Sequence, residues 1–229
     1  STVAPTPLWK SALPWSLALV AAAAMVLWRL GIEPERVLRT SIRPPQDRTF
    51  HLAAISPGAA ALSPDGTRIV FSARDEDGAV RLYLRALDQP EAHVMSGTEG
   101  AQYPFWSPDS RRIGFFAKGK LRVIEAVGGP PLSLCDATDG KGGTWSANGV
   151  IVFSPNYNSP LHKVPEAGGE STPVTEFDVE RNDNSHRHPR FLPDGDHFIY
   201  MARSASGTTE GHAVMIGSLD GTEDRLLFS

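Results

Sequence analysis

A four-residue turn recurs four times at nearly even spacing, and no other feature restricts the fold so much. Ser63-Pro64-Asp65-Gly66, Ser107-Pro108-Asp109-Ser110, Ser146-Ala147-Asn148-Gly149 and Leu192-Pro193-Asp194-Gly195 begin 44, 39 and 46 residues apart. Each follows a short apolar piece (AAL, PFW, GTW, PRF) and precedes a strand-like one (RIVFSA, RIGFFA, VIVFSP, HFIYMA). Proline presets φ at the second turn position, Asp or Asn accepts nearby backbone N–H groups, and Gly takes the positive φ that leads into the next strand. These Asp residues are therefore read as hairpin builders rather than ligands or catalytic acids. Two further strand-like pieces complete each unit: RLYLRAL, KLRVIEA, PLHKVPEA and AVMIGSL, then AHVMSG, PLSLCD, TPVTEF and DRLLFS.

Four short strands in about 40 to 45 residues is the period of a β-propeller blade, whose small sheet buries its faces against its neighbours. The predicted fold is all-β, a propeller over 49–229 with four-stranded blades at about 56–100, 101–142, 143–188 and 189–229. Thr49–Ile55 reads as a strand without its own turn, assigned as the outer strand of the last blade, lent from the N-terminal side to close the ring. Four blades leave an open edge, a liability for aggregation. The expectation is therefore an incomplete ring, with further blades beyond Ser229.

Composition agrees with a folded, turn-rich chain: 41% hydrophobic and 21% charged residues, with 21 Gly and 19 Pro. Cys135 is the single cysteine, which leaves no internal disulfide and no Cys-based metal site. Residues 1–48 hold six Lys/Arg and three Asp/Glu, leaving 16 basic against 23 acidic residues in 49–229. An acidic domain lacks the concentrated basic surface that nucleic acid requires.

The first 48 residues differ. From Ala12 to Trp28 Ser16 is the one clearly polar residue. Leu8–Leu30 would make a helix about 34 Å long, enough for a hydrocarbon core of about 30 Å. Lys10 and Arg29 stand where long side chains snorkel, Trp9, Trp15 and Trp28 lie near the ends as interfacial aromatics do, and Pro14 falls in the first turns. A buried core helix and a cleaved signal peptide are the competing readings; bulky Met25, Val26, Leu27 and Trp28 fit a cleavage site poorly. The expected organisation is a linker at 1–7, a transmembrane helix at 8–30 and a Pro-rich juxtamembrane spacer at 31–48. Lys10 is the sole charge before the uncharged apolar stretch of the span, whereas Arg29, Arg36, Arg39, Arg43 and Arg48 follow that stretch; taken alone, that bias places the folded domain in the cytoplasm. The chain opens STVAPTP without an initiator Met, as the tail of a Pro/Thr linker would.

SPDGTRIVF and its three relatives resemble TolB-like, WD-type propeller repeats across about 49–229. The run from RLYLRALDQPEAHVMSG through SPDSRRIGFFAKGKLRVIEAVGGPP to HRHPRFLPDGDHFIYMAR is also similar to the propeller that follows the membrane span in bacterial eukaryotic-like serine/threonine protein kinases. That resemblance implies a receptor-like sensor region at the inner membrane, single-pass, with the propeller extracytoplasmic (periplasmic) and an unknown protein or small-molecule ligand. Kinase motifs do not occur in these residues: no Gly-rich phosphate loop, no V-A-I-K lysine, no HRD and no DFG, and His186-Arg187-His188 lacks the Asp. The expectation is a non-catalytic module without cofactor or metal. The alternatives are a propeller accompanying a serine peptidase and a TolB-like envelope scaffold that binds other proteins.

Other candidates read more plainly as structure. No G-x-S-x-G occurs, and Ser171 of Gly169-Glu170-Ser171 lies in a turn. His186, His188 and His197 come close in sequence, but no Cys stands near, and Asp183, Asp194 and Asp196 read as loop and turn residues. Asp75-Glu76-Asp77-Gly78 reads as an acidic hairpin tip. Trp106, Trp145, Phe191 and Leu62 share one repeat position, which favours packing between sheets over ligand stacking. If ligand binds at a channel mouth, Tyr157, Asn158, His186 and Arg187 are the loop candidates.

Overall fold

The computed structural model describes Met25 and residues 41–51, 58, 60–205 and 212–228. The predicted linker, the predicted span apart from Met25, and the spacer up to residue 40 lie outside the described residues. Among the described residues no helix is long and apolar enough to cross a membrane. The chain divides into two units, 1–41 and 42–229, and the second carries the sheets.

The first sheet holds β1 (Thr49–Phe50), β2 (Ala61–Leu62), β3 (Arg68–Arg74), β4 (Val80–Ala86) and β5 (His93–Val94). The second holds β6 (Gln102–Trp106), β7 (Arg112–Ala117), β8 (Lys120–Glu125) and β9 (Leu132–Asp136). β10 (Gly143–Trp145), β11 (Val150–Phe153), β12 (His162–Pro165) and β13 (Thr172–Pro173) form the third. The fourth is β14 (Asp183–Phe191), β15 (His197–Ser204), β16 (Ala213–Ser218) and β17 (Asp224–Phe228). Every pairing is antiparallel between sequence neighbours, apart from β1. The sheets pack in chain order: β6 lies on β2 and β3, β10 on β6, and β14 on β10 and β11. This is the predicted propeller architecture, with four sheets in series.

In the two middle sheets the second strand, β7 or β11, is apolar on both faces because neighbouring sheets cover both, so its pattern is a run rather than an alternation. β7 buries Ile113, Gly114, Phe115, Phe116 and Ala117 in succession. Val70, Leu82, Trp106, Ile113, Phe115 and Ile124 fill the space between the first and second sheets. Phe105, Phe116, Leu121, Trp145, Ile151 and Phe153 fill the next, and Val152, Leu161, Phe198, Tyr200 and Met215 the last. Gly114 and Gly143 are required where Phe105 lies against them; a Cβ would stand 2.3 Å and 2.6 Å from its ring.

Two expectations need correction. Thr49–Phe50 is not the outer strand of a last blade but belongs to the first sheet: Thr49 pairs with Arg74 and Phe50 with Ala73, on the inner edge of β3. β2 reaches only Ile69 and Val70, so the far half of that edge would keep unpaired backbone groups without β1. The boundary at 188/189 also falls inside a strand, because β14 starts at Asp183 and absorbs His188-Pro189 as a register shift between Arg187 and Arg190.

Candidate functional site

The turn tetrapeptides use their polar side chains internally. Ser63 Oγ donates to Asp65 Oδ1 (2.6 Å), which also accepts from Thr67 N–H (3.0 Å) and Thr67 Oγ1 (2.8 Å), while Arg68 N–H returns to Ser63 Oγ (2.9 Å). These bonds hold the Asp65 carboxyl down at about 2, the Ser63 hydroxyl contributing most. Ser107, Asp109 and Arg111 repeat the arrangement, and Asp194 accepts from the N–H groups of Asp196 and His197. In the third turn Asn148 N–H donates to Ser146 Oγ (3.1 Å), which donates to Gly195 O of the fourth sheet (2.6 Å). Gly66, Gly149 and Gly195 take the positive φ the turn demands. In the second turn Ser110 holds that conformation (φ 60°), and its Oγ accepts from Asp65 N–H across the sheet boundary. The Pro64, Pro108 and Pro193 rings, free of such duties, stand at the rim of a cavity.

That cavity, about 450 Å³, lies where the C-terminal ends of the innermost strands of all four sheets converge. Its lining is apolar, from Leu62, Trp106, Trp145, Phe191 and the three prolines, with Arg190 as its charged member. Trp106 and Trp145 are buried walls rather than free stacking platforms. Trp106 Nε1 donates to Ala61 O (2.9 Å) beneath the Arg68 guanidinium, and Trp145 Nε1 donates to Glu166 (3.0 Å) beneath Arg112, itself 2.8 Å from Glu166. Leu62 departs from its aromatic counterparts, being 56% exposed at the mouth.

The N-terminal ends of the same strands build a different, polar surface. Tyr103 (φ 49°) and His188 (φ 54°) hold left-handed backbone conformations, each just before a proline. Such strain in a non-glycine residue costs about 1–3 kcal/mol. Their rings meet at 5.7 Å across the third sheet. They can do so because that sheet offers Gly142 there (φ 103°), where a Cβ would sit 3.1 Å from His188 Cα. Arg187 lies 4.6 Å over the Tyr157 ring and donates to Ser185 Oγ (2.7 Å) and Tyr157 O (3.3 Å). Lys141 is buried, with Nζ on Asp139 at 2.6 Å.

Of the four loop candidates, Tyr157, Asn158 and Arg187 are solvent-accessible and Tyr157 and Arg187 are in contact. His186 is not a loop residue: it is fully buried in β14, its Nδ1 2.8 Å from Thr175 Oγ1 and its Nε2 3.4 Å from Asp183. It lies against Phe177 and Tyr200, ring to ring. Burial holds its imidazole below the ordinary histidine value. Burial alone would raise Asp183, but Arg181 at 2.6 Å outweighs it and the carboxyl lies below its usual range.

His197 pairs with Asp194 (2.9 Å) and Glu223 (3.2 Å) at the tetrapeptide end. Among the described residues no group of three or more His, Cys, Asp or Glu is placed to hold a metal ion. Ser171 Oγ stands 3.4 Å from His162 Nδ1, with the Phe153 ring against the imidazole. The acidic tip is a clamp: Asp75, 7% exposed, receives Arg48 (2.7 Å), Arg81 and Tyr83.

Sequence reasoning missed one copy of the turn. Ser218-Leu219-Asp220-Gly221-Thr222 joins β16 to β17 with the same bonds as Ser63 to Thr67, and Asp220 is likewise held at about 2. The signal was present as S-x-D-G-T, displaced to the outer hairpin. Tyr103 and Lys141 were also missed, and His188 was weighed only as a metal ligand, because meeting across an intervening sheet leaves no mark on the local pattern.

No family model matches the sequence, and no curated protein matches it. Solved structures match throughout the propeller. A TolB-type protein from Agrobacterium tumefaciens superposes with a TM-score of 0.64 at 18% identity, over 78% of this chain and 67% of that one. TolB from Acinetobacter baumannii gives 0.60 at 13% identity, over 74% of this chain and 43% of that one. A puromycin hydrolase S511A mutant, solved in complex with PGG, gives 0.57 at 16% identity over 74% of this chain and 28% of that one. At these identities the likeness concerns the fold, which is that of a TolB-like β-propeller. The chain spans less than half of the second and third of these structures.

Proposed function

We propose that this chain is a membrane-tethered propeller that binds rather than catalyses, the sensor region of a bacterial receptor-like serine/threonine protein kinase. The observation that carries the binding role is the apolar cavity walled by the innermost strands of all four sheets, in which Ser146 and Trp106 are spent on inter-sheet bonds and Arg190 is the charged member. An apolar concavity assembled from several blades takes a small ligand or a protruding segment of a protein partner. The segment 8–30 supplies the single span in the inner membrane, and the domain lies on the periplasmic side. A ligand there would act by favouring one association state or arrangement of the receptor over another. The acidic balance of 49–229 gives no footprint for nucleic acid.

Reporter fusions after the propeller test the arrangement. Alkaline phosphatase fused there is expected to be active and membrane-bound, and to lose the membrane when 8–30 is deleted; activity of a β-galactosidase fusion instead would overturn the orientation. The kinase assignment is tested on the intact gene product isolated from membranes, which is expected to phosphorylate itself on Ser or Thr with ATP.

The puromycin hydrolase likeness favours one second reading, a propeller accompanying a serine peptidase. Covalent labelling of the intact gene product by a fluorophosphonate would support it, and phosphorylation without labelling would dismiss it. Neither reaction in the intact product leaves the TolB-like scaffold.

A further inference from the structure

We propose that the polar end of the innermost strands is an oxyanion-binding site, in which Arg187, with Tyr103, Tyr157 and His188 around it, receives a carboxylate or phosphate group. The site is separate from the apolar cavity and does not depend on it. Three observations converge. The first is charge. In a domain with 23 acidic against 16 basic residues, Arg187 and Arg203 have no carboxylate partner among the described residues, while Lys141 is neutralised by Asp139. Arg187 and Arg203 lie close enough to repel: burial and then the Arg203 charge lower the Arg187 guanidinium. Like charges set together without a counter-ion are destabilising, so their neighbourhood suits an anion brought from outside.

The second is backbone strain. Tyr103 and His188, on two different sheets, both adopt left-handed conformations, and the register shifts at Gln102/Phe105 and Arg187/Arg190 bring their rings together. Strained residues of this kind persist where the surrounding structure fixes them and where a side chain must be re-aimed. The third is preorganisation. Arg187 is held by Ser185 Oγ and Tyr157 O and stacked on Tyr157, so its guanidinium is fixed before any ligand arrives. A fixed guanidinium loses little freedom on binding. Crowding of the His188 ring, and then the charges of Arg187, Arg190 and Lys141, keep it below the ordinary histidine value, so near neutral pH it serves as a neutral hydrogen-bonding group.

The experiment is a titration of the detergent-solubilised full chain at constant ionic strength, following the His188 ring signals by NMR, assigned with His188→Gln. One arm uses inorganic phosphate; the other uses a tripeptide with a free C-terminal carboxylate beside its amide. Saturable shifts are expected in at least one arm, and the responding arm identifies the oxyanion. The Arg187→Ala variant should bind roughly tenfold or more weakly, as removing a charge-assisted contact does. If Arg187→Ala does not fold, Arg203→Gln on the neighbouring strand decides, with a loss of about threefold. Shifts that never saturate, an amide that binds as well as the acid while phosphate gives no response, or binding unchanged in a folded Arg187→Ala variant would overturn the site.

Discussion

The first and fourth sheets are the two ends of the series, and they treat their outward faces differently. In the first sheet that face carries Ile69, Phe71, Ala73 and Tyr83, all buried, because Ile42 and Phe50 pack against it. Phe50 meets Phe71 edge-on at 5.2 Å, and Arg48 ties the segment down on Asp75. In the fourth sheet the inward residues Phe198, Tyr200, Ala202, Ala213 and Met215 are buried, while Ile199, Met201, Val214 and Ile216 on the other face stay half-exposed. Its last strand leaves Leu226, Leu227 and Phe228 exposed. A blade is amphipathic only with respect to what covers it: the same four-strand meander becomes a two-faced core where a segment of chain lies over it, and a one-faced sheet where no described residue does.

Phe71→Ala should show the largest effect, about 3–5 kcal/mol in denaturant unfolding of the sheets, since the ring is wholly buried between strand and cap. A cost below about 1 kcal/mol would mean that the cap does not form a packed layer. Removing the cap residue itself, Phe50→Ala, is expected to cost about 1–2 kcal/mol, because the ring is half-buried. The two substitutions together should cost less than the sum of their separate effects, by about 0.5–1.5 kcal/mol. Strictly additive costs would break the claim that the rings meet.

Ile199→Ala on the open face should cost about 1 kcal/mol or less. A loss as large as at Phe71 would mean that something covers that face in solution, and the comparison between the two ends would fail.

The smallest expected difference lies in the turns. Asp65 in the first sheet and Asp220 in the fourth are both held at about 2 by equivalent Ser, Thr and backbone donors. A carboxyl whose folded value is depressed contributes stability that is fully present above its unfolded value near 4 and is lost as pH falls through about 2. Asp65→Asn and Asp220→Asn should each flatten the loss of stability between about pH 4 and 2, to a similar extent. A clear inequality would show that the position of the turn in the series, rather than its local bonds, sets its contribution.

Much of this was legible in the chain. The period, the four strands per unit and the positive-φ glycines follow from residues within one hairpin, and the structure has them where the tetrapeptides place them. The buried role of Trp106 and Trp145 was readable from their matching repeat positions, although the Arg68 and Arg112 guanidinium groups above them were not. Thr49–Phe50 was recognisable as a strand, but not as a partner of β3. A two-residue strand carries too little pattern to say which of two edges it completes, and the choice was made by the unpaired half of β3. His186 and His188 differ by two positions on one strand, yet one is buried and the other faces solvent, because the bulge at His188-Pro189 breaks the alternation from which sequence reasoning assigns faces.

The sequence by itself determined the blade: where its turns fall, which pieces are strands, and that the domain is acidic and free of disulfides. Those properties depend on interactions over a few residues, or on composition. Only the tertiary structure decided what the blades make together. The apolar cavity draws on residues from Ala61 to Gly195, and the arginine-rich end on residues from Tyr103 to Arg203. Both arise from strands brought side by side by sheet packing, and distances between sheets are set by side-chain volume and the twist of stacked sheets, which no local pattern encodes.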